Sequence, residues 1–174
     1  STTQAYWLLS RLYLQQNRLK DADAVVEKLI ESNPKTPTLK ADRAEYLFAT
    51  QRKDEALRAL AELASSPASD AAVIKRAGDT YLRFREAQKA YDTYAAGITK
   101  FPAQKTEFRL KMIPALLNLG KRDEAIRLAE TAMQEDPANN GAISMRASLY
   151  LNFGSKEQFD QAIKDPVSYT HLRA

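Results

Sequence analysis

Few side chains in this sequence could do covalent or acid–base chemistry. Carboxylates stand close together at Asp21 with Asp23 and at Glu135 with Asp136, the residue type an acid–base pair requires. Both pairs sit among polar residues, which predicts a solvated surface rather than the buried setting that sets an acid against a base. The single histidine is His171, there is no cysteine, and no Gly-rich phosphate loop occurs. Most acid–base, metal and nucleotide sites are thereby removed, so no cofactor, no metal and no enzymatic activity are expected from this segment. What remains is binding. Leu14, Phe48, Leu82, Leu117 and Leu151 form an apolar row spaced 34, 34, 35 and 34 residues apart, and such a row needs a repeating scaffold to hold it.

Composition is that of an ordinary globular chain. It has 174 residues, 44% hydrophobic and 28% charged, with a net charge of +4. The basic excess is interleaved with acids, as in Arg52-Lys53-Asp54-Glu55 and Lys121-Arg122-Asp123-Glu124. That is not a basic stripe, so no nucleic-acid partner is expected. Apolar runs are only a few residues long, against the roughly 20 that a membrane helix needs, so no membrane span is expected. Absence of cysteine suits the bacterial cytoplasm and the periplasm equally, and compartment stays open.

The scaffold is legible in two further rows of the same period. Ser10, Ala44, Gly78, Ile113 and Ala147 form one, and Ala22, Ala56, Ala90, Ala125 and Phe159 the other. Two rows in one period predict a stacked array, an extended surface suited to holding another molecule. Each period reads as two amphipathic helices with a short turn between them, because apolar residues recur at three- and four-residue steps. In the first, Leu9, Leu12 and Tyr13 line one helix, the turn falls near Gln16-Asn17-Arg18, and Ala22, Val25, Val26, Leu29 and Ile30 line the second. Asn33-Pro34, Ser66-Pro67, Phe101-Pro102 and Asp136-Pro137 end the second helices, since proline lacks an N–H and restricts the residue before it. Acidic residues at Asp21, Asp54-Glu55 and Asp123-Glu124 suit the positive ends of helices. Small residues allow helices to cross at about 8–10 Å. Tyr13, Leu47, Tyr81, Leu116 and Tyr150, with Val26, Leu60, Tyr94, Ala129 and Ile163, are expected to fill the core between them.

At these residues the chain resembles the tetratricopeptide repeat family. Ala77-Gly78, Tyr81, Ala90, Tyr94, Gly97 and Pro102 follow the family pattern best, and Leu116, Gly120, Ala125, Ala129, Ala132 and Pro137 follow it in the fourth repeat. Leu9, Tyr13, Ala22, Leu29 and Pro34 match more loosely, as do Ala44, Leu47, Ala56, Leu60, Leu63 and Pro67. The resemblance covers about residues 4–164. It implies an all-α fold, a right-handed superhelical solenoid of antiparallel helix hairpins whose first helices line a concave groove for peptides or partner proteins. The family's stacking would put the Leu14, Phe48, Leu82, Leu117 and Leu151 row on the inner face. Beside it would lie Trp7, Ala41, Lys75, Leu110 and Ser144, with Arg11, Glu45, Asp79, Pro114 and Ser148 one turn further on. The row then either packs between neighbouring helices or receives an apolar or amphipathic peptide. In the second case Trp7, Phe48 and the leucines anchor the peptide, and Arg11, Glu45, Lys75 and Asp79 fix its direction.

Some specialised grooves of related proteins are disfavoured. The clamp that holds acidic chaperone tails needs Lys, Asn and Arg at set positions, but those slots hold Trp7, Arg11, Asp42, Ala72 and Arg76, of which only Arg76 agrees. The related RNA-reading repeats use polar residues where Trp7, Ala41 and Leu110 stand here. Two departures from the family carry expectations of their own. Phe84-Arg85 replaces a glycine turn, which predicts a slightly different third hairpin. Pro114 inside a first helix removes a hydrogen bond from the Leu110 carbonyl at a cost of about 3 kcal/mol. It is either a tolerated irregularity or a kink that opens the groove and offers that carbonyl to a ligand.

Repeats are therefore expected at about 4–36, 37–69, 70–103 and 104–139, with a partial one at 140–164. The run at 165–174 fits no repeat position. Val167 to Ala174 resembles translated library-adaptor sequence, so this tail reads as non-native and its His171 as without function. An unfinished array leaves apolar Phe153, Phe159 and Ile163 at its end, which predicts self-association there. The function expected is a non-catalytic protein- or peptide-binding scaffold, a piece of a longer assembly or adaptor protein. The alternative is a structural spacer or oligomerisation segment.

Overall fold

Apolar residues at helical spacing build ten α-helices among the residues that the structure, a computed structural model, describes: 2–164. These are α1 (Thr2–Gln15), α2 (Leu19–Glu31), α3 (Leu39–Ala49), α4 (Lys53–Ser65), α5 (Ala71–Arg83), α6 (Ala87–Lys100), α7 (Lys105–Asn118), α8 (Arg122–Glu135), α9 (Asn140–Phe153) and α10 (Lys156–Lys164). The reading of 165–174, with His171, lies outside the described residues. Each proline stop falls just beyond a second helix: α2 ends before Pro34, α4 before Pro67, α6 before Pro102 and α8 before Pro137.

The helices form two units, one up to Ser69 with α1–α4 and one from Asp70 with α5–α10. In the first, α1 packs on α2 and α3 on α4, with α2 against α3. Val26, Leu29, Ala44, Leu47, Ala56 and Leu60 fill its interior. In the second, each helix from α5 to α10 packs on the next, and the first helices α5, α7 and α9 also touch in sequence. Small residues make these crossings possible. A Cβ on Gly78 would run into the Tyr94 ring, and one on Gly97 into the Phe108 ring, so bulk on one helix is matched by its absence on the neighbour. Towards the C-terminal end, Ile113, Leu116, Ala125, Ala129, Ala147, Leu149 and Tyr150 form one cluster. Most expected filling residues are buried, with two exceptions at the ends of the array: Tyr13 is half-buried and Ile163 is exposed.

The hairpin turns correct one expectation. Arg85 has φ 59°, and Asn17 (57°), Gln51 (66°) and Gly120 (75°) hold the same position in the other three turns. All four close with the same two backbone bonds. In the third, Arg85 N–H donates to the Leu82 carbonyl at 3.0 Å and Glu86 N–H to the Tyr81 carbonyl at 2.9 Å; in the fourth, Gly120 and Lys121 donate to Leu117 and Leu116 at 3.0 and 2.9 Å. Phe84-Arg85 therefore forms the common turn. The left-handed conformation is imposed by the need to satisfy helix-end carbonyls, whichever residue must adopt it. The hairpin that differs is the fifth, where Gly154 is extended. There Ser155 Oγ accepts from Gln158 N–H at 3.3 Å while Ser155 N–H donates to Gln158 Oε1 at 2.9 Å, a reciprocal cap on α10. Pro114 is exposed within α7, which runs unbroken past it.

Candidate functional site

Helix α1 faces α3 across a cleft of about 390 Å3, and all its lining residues come from these two helices: Trp7, Ser10, Arg11, Leu14, Asp42, Glu45, Tyr46 and Ala49. Steps of three and four residues put Trp7, Arg11 and Leu14 on one face of α1, and Asp42, Glu45, Tyr46 and Ala49 on one face of α3. Trp7 and Leu14 are half-buried and Arg11 is exposed. The cleft thus offers an indole and an aliphatic surface flanked by one cation and two carboxylates.

Its Tyr46 wall is held from behind. The Tyr46 hydroxyl donates to Asp23 Oδ1 at 2.6 Å, and Arg52 donates from both terminal nitrogens to Asp23 at 3.0 and 2.7 Å while lying 5.4 Å from the Tyr46 ring centroid. Burial works to raise the Asp23 pKa, but the bonds from Arg52 and Tyr46 outweigh it and leave it below 3.8. Burial, then the Asp23 bond, pushes the Tyr46 phenol well above its ordinary value, so it stays a donor. Asp23 was expected on a solvated surface. The structure makes it half-buried, whereas Glu135 is exposed as expected and pairs with Lys105 at 3.1 Å and with Arg109. Both carboxylates brace helix packing.

The sequence-derived site residues separate into two groups. Trp7, Arg11, Leu14 and Glu45 meet in the cleft, while Phe48 is half-buried on α3 and is not among the lining residues. In the second unit, Lys75 pairs with Glu107, bonds Gln104 Oε1 at 3.1 Å and lies 5.7 Å from the Phe108 ring centroid. Asp79 accepts from the Tyr94 hydroxyl at 2.6 Å and from Lys111 at 3.0 and 2.8 Å. Lys75–Glu107 and Asp79–Lys111 are thus two rungs tying α5 to α7, one helical turn apart. Leu82 is half-buried, and Leu110, Leu117 and Leu151 pack against the C-terminal cluster. A third phenol, Tyr150, donates to Glu130 Oε1 at 2.6 Å and is pushed up to about 12 by burial and by that bond.

Sequence reasoning missed Asp42, Tyr46, Ser10 and Ala49 as parts of the cleft. Asp42 could have been found from its place three residues before Glu45, on the same helical face. Tyr46 could not, because its ring belongs equally to the core. Among the described residues no group of three or more His, Cys, Asp or Glu side chains could hold a metal ion, and no helix is long and apolar enough to cross a membrane.

The tetratricopeptide repeat family model matches residues 7–72. Solved structures extend the likeness in fold. The nearly identical TPR-like repeats of a candidate kinesin light chain from Podosopora anserina share 14% identity and a TM-score of 0.61, covering 98% of this chain and 97% of that one. MamA shares 14% identity at a TM-score of 0.59, covering 95% of this chain and 97% of that one. YrrB, described as a TPR protein with an unusual peptide-binding site, shares 17% at 0.53, covering 97% and 91%. No curated protein matches the chain in sequence. Residues 7–72 thus match the tetratricopeptide repeat family, and the described helices share the all-α helix-hairpin fold of these solved structures.

Proposed function

We propose that this chain is a non-catalytic scaffold that binds a protein or peptide segment, and that the segment seats between α1 and α3. The observation that carries the reading is the convergence of Trp7, Leu14, Arg11, Asp42 and Glu45 on one cleft. Apolar surface beside mixed charge suits a peptide with an aliphatic or aromatic anchor, the charges then fixing register and direction. The peptide-binding site of YrrB, a protein of the same fold, lends general support. In the second unit the rungs from Lys75 and Asp79 to α7 make those side chains positioning groups between first helices, and the half-buried leucines offer apolar surface beside them.

The test is selection from a displayed peptide library on the whole chain, followed by titration of the selected peptides against Trp7→Ala and Arg11→Glu. Both residues lie outside the buried core, so the variants are expected to keep wild-type helicity. Loss of affinity of about tenfold or more for Trp7→Ala is expected for an aromatic anchor. Peptides that bind both variants as tightly as wild type would remove the cleft from consideration. The second reading, a spacer or oligomerisation segment, is favoured by a separate observation, the exposed apolar side chains of Leu8, Leu9 and Leu12 on α1 and of Phe159 and Ile163 on α10.

A further inference from the structure

Among the asparagines of the sequence, Asn140 alone is followed by glycine. The pairing matters chemically. A side-chain amide is open to attack by the backbone nitrogen of the next residue, and a Cβ on that residue obstructs the approach, whereas glycine has none and turns freely. Both residues are exposed, at the start of α9. The Gly141 N–H belongs to the first helical turn, where intrahelical acceptors are lacking. Among the described residues neither it nor the Asn140 amide makes a hydrogen bond. Nucleophile and electrophile are therefore adjacent, wet and unengaged.

What restrains them is Asn139, the cap of α9. Its Oδ1 accepts from Ala142 N–H at 3.1 Å, its carbonyl accepts from Ile143 N–H at 3.0 Å, and its Nδ2 donates to Asp136 Oδ2 at 3.1 Å. These bonds keep Asn140 and Gly141 in helical geometry, so attack requires the first turn to open.

We propose that Asn140–Gly141 is a self-modification site, at which the chain deamidates without an enzyme, and that the Asn139 cap sets its pace. The Gly141 nitrogen bonds to Asn140 Cγ, and the bond from Cγ to the side-chain nitrogen breaks. That nitrogen leaves as ammonia, carrying the proton given up by Gly141, and a five-membered succinimide remains. Water then opens the ring at one carbonyl or the other, giving aspartate or isoaspartate. The sum is one water in and one ammonia out, with no change of oxidation state. Aspartate places a negative charge at the positive end of α9, which favours it. Isoaspartate adds a methylene to the main chain within the span that the cap closes. Either product lowers the net charge of +4 by one. The inference is independent of the peptide cleft.

The test keeps the whole chain in neutral buffer, samples it over days and follows its peptides by mass spectrometry after digestion. The peptide holding Asn140 is expected to gain about one mass unit, as two separable products, before the peptides holding Asn17, Asn118 or Asn152 change. Asn139→Ala is expected to speed the gain by about fivefold, the factor that loss of a helix cap adds to local opening. Asn139→Ser, which restores a capping oxygen, is expected to return the rate close to that of wild type. Gly141→Ala is expected to keep its amide. The added Cβ would stand 3.1 Å from Asn139 Oδ1 and press on the cap, so a slower reaction there comes from obstructed attack and not from a firmer cap. An Asn140 peptide that gains mass no sooner than the others, or Gly141→Ala reacting as fast as wild type, overturns the site. Equal rates with and without the cap overturn the control assigned to Asn139.

Discussion

Asp23 shows how much one carboxylate can do for the packing of neighbouring helices. Its bonds from Tyr46 and Arg52 hold a folded-state pKa below the ordinary 3.8 against the opposing effect of burial. A pKa depressed on folding means that stability is present above the unfolded value and is lost as pH falls through the folded one. Asp23→Asn is expected to cost about 1 kcal/mol at neutral pH, a figure reduced for the partial exposure of the pair. The deficit should shrink as pH falls below the unfolded value and on through the depressed folded one, where the wild-type carboxylate finally takes up its proton. Urea denaturation of both proteins across pH 3–7 measures it, and a deficit unchanged at low pH would mean that Asp23 acts through packing alone. None of this was legible in the sequence. The partners lie 23 and 29 residues away, and an acidic residue early in a helix reads first as a partner of the helix dipole. The Gly78 contact lay nearer the surface of the sequence, because a small residue recurring with the repeat implies a helix crossing close by. That Tyr94 fills the space left at Gly78 needed coordinates.

Helices were the most readable level, since apolar spacing sets their faces and proline their ends. Turns were less so. The expectation of a distinct third hairpin took glycine as the cause of the turn, whereas the cause is the pair of carbonyls that Arg85 and Glu86 must satisfy. Residue type changes the cost of that geometry and leaves its shape alone. A left-handed conformation costs a non-glycine residue roughly 1–2 kcal/mol, and part of that gain is offset because glycine loses more freedom on folding. Arg85→Gly is therefore expected to stabilise the chain by about 0.5–1 kcal/mol in chemical denaturation, with unchanged helicity. A loss of stability would show that the Arg85 side chain, rather than its backbone, holds the turn. The fifth hairpin, with its Ser155–Gln158 cap, was also unanticipated. The reciprocal bond that makes it different is a matter of side-chain geometry.

In an array where each repeat leans only on its neighbours, stability is a sum of local terms and need not be uniform. Leu8, Leu9 and Leu12 on α1 and Phe159 and Ile163 on α10 are exposed, whereas α6, α7 and α8 carry buried rows, so the amides of α1 and α10 are expected to exchange with solvent fastest and those of α6, α7 and α8 slowest. Hydrogen exchange read by mass spectrometry checks this; uniform protection from α1 to α10 would mean that the helices open all at once. At this scale the candidate site was half legible. Repeat register brought Trp7, Arg11, Leu14 and Glu45 together, because all four depend only on helical phase. It gave no warning that Lys75 and Asp79 would be taken up by Glu107 and Lys111, since ion pairing across repeats depends on side-chain reach. Trp7 adds a practical consequence. It is the chain's one indole, so emission excited selectively at tryptophan reports from a single address, the wall of the α1–α3 cleft, while the tyrosines, seven of the eight on the described helices, supply the background. A fluorescence change in this protein therefore comes with its location already known.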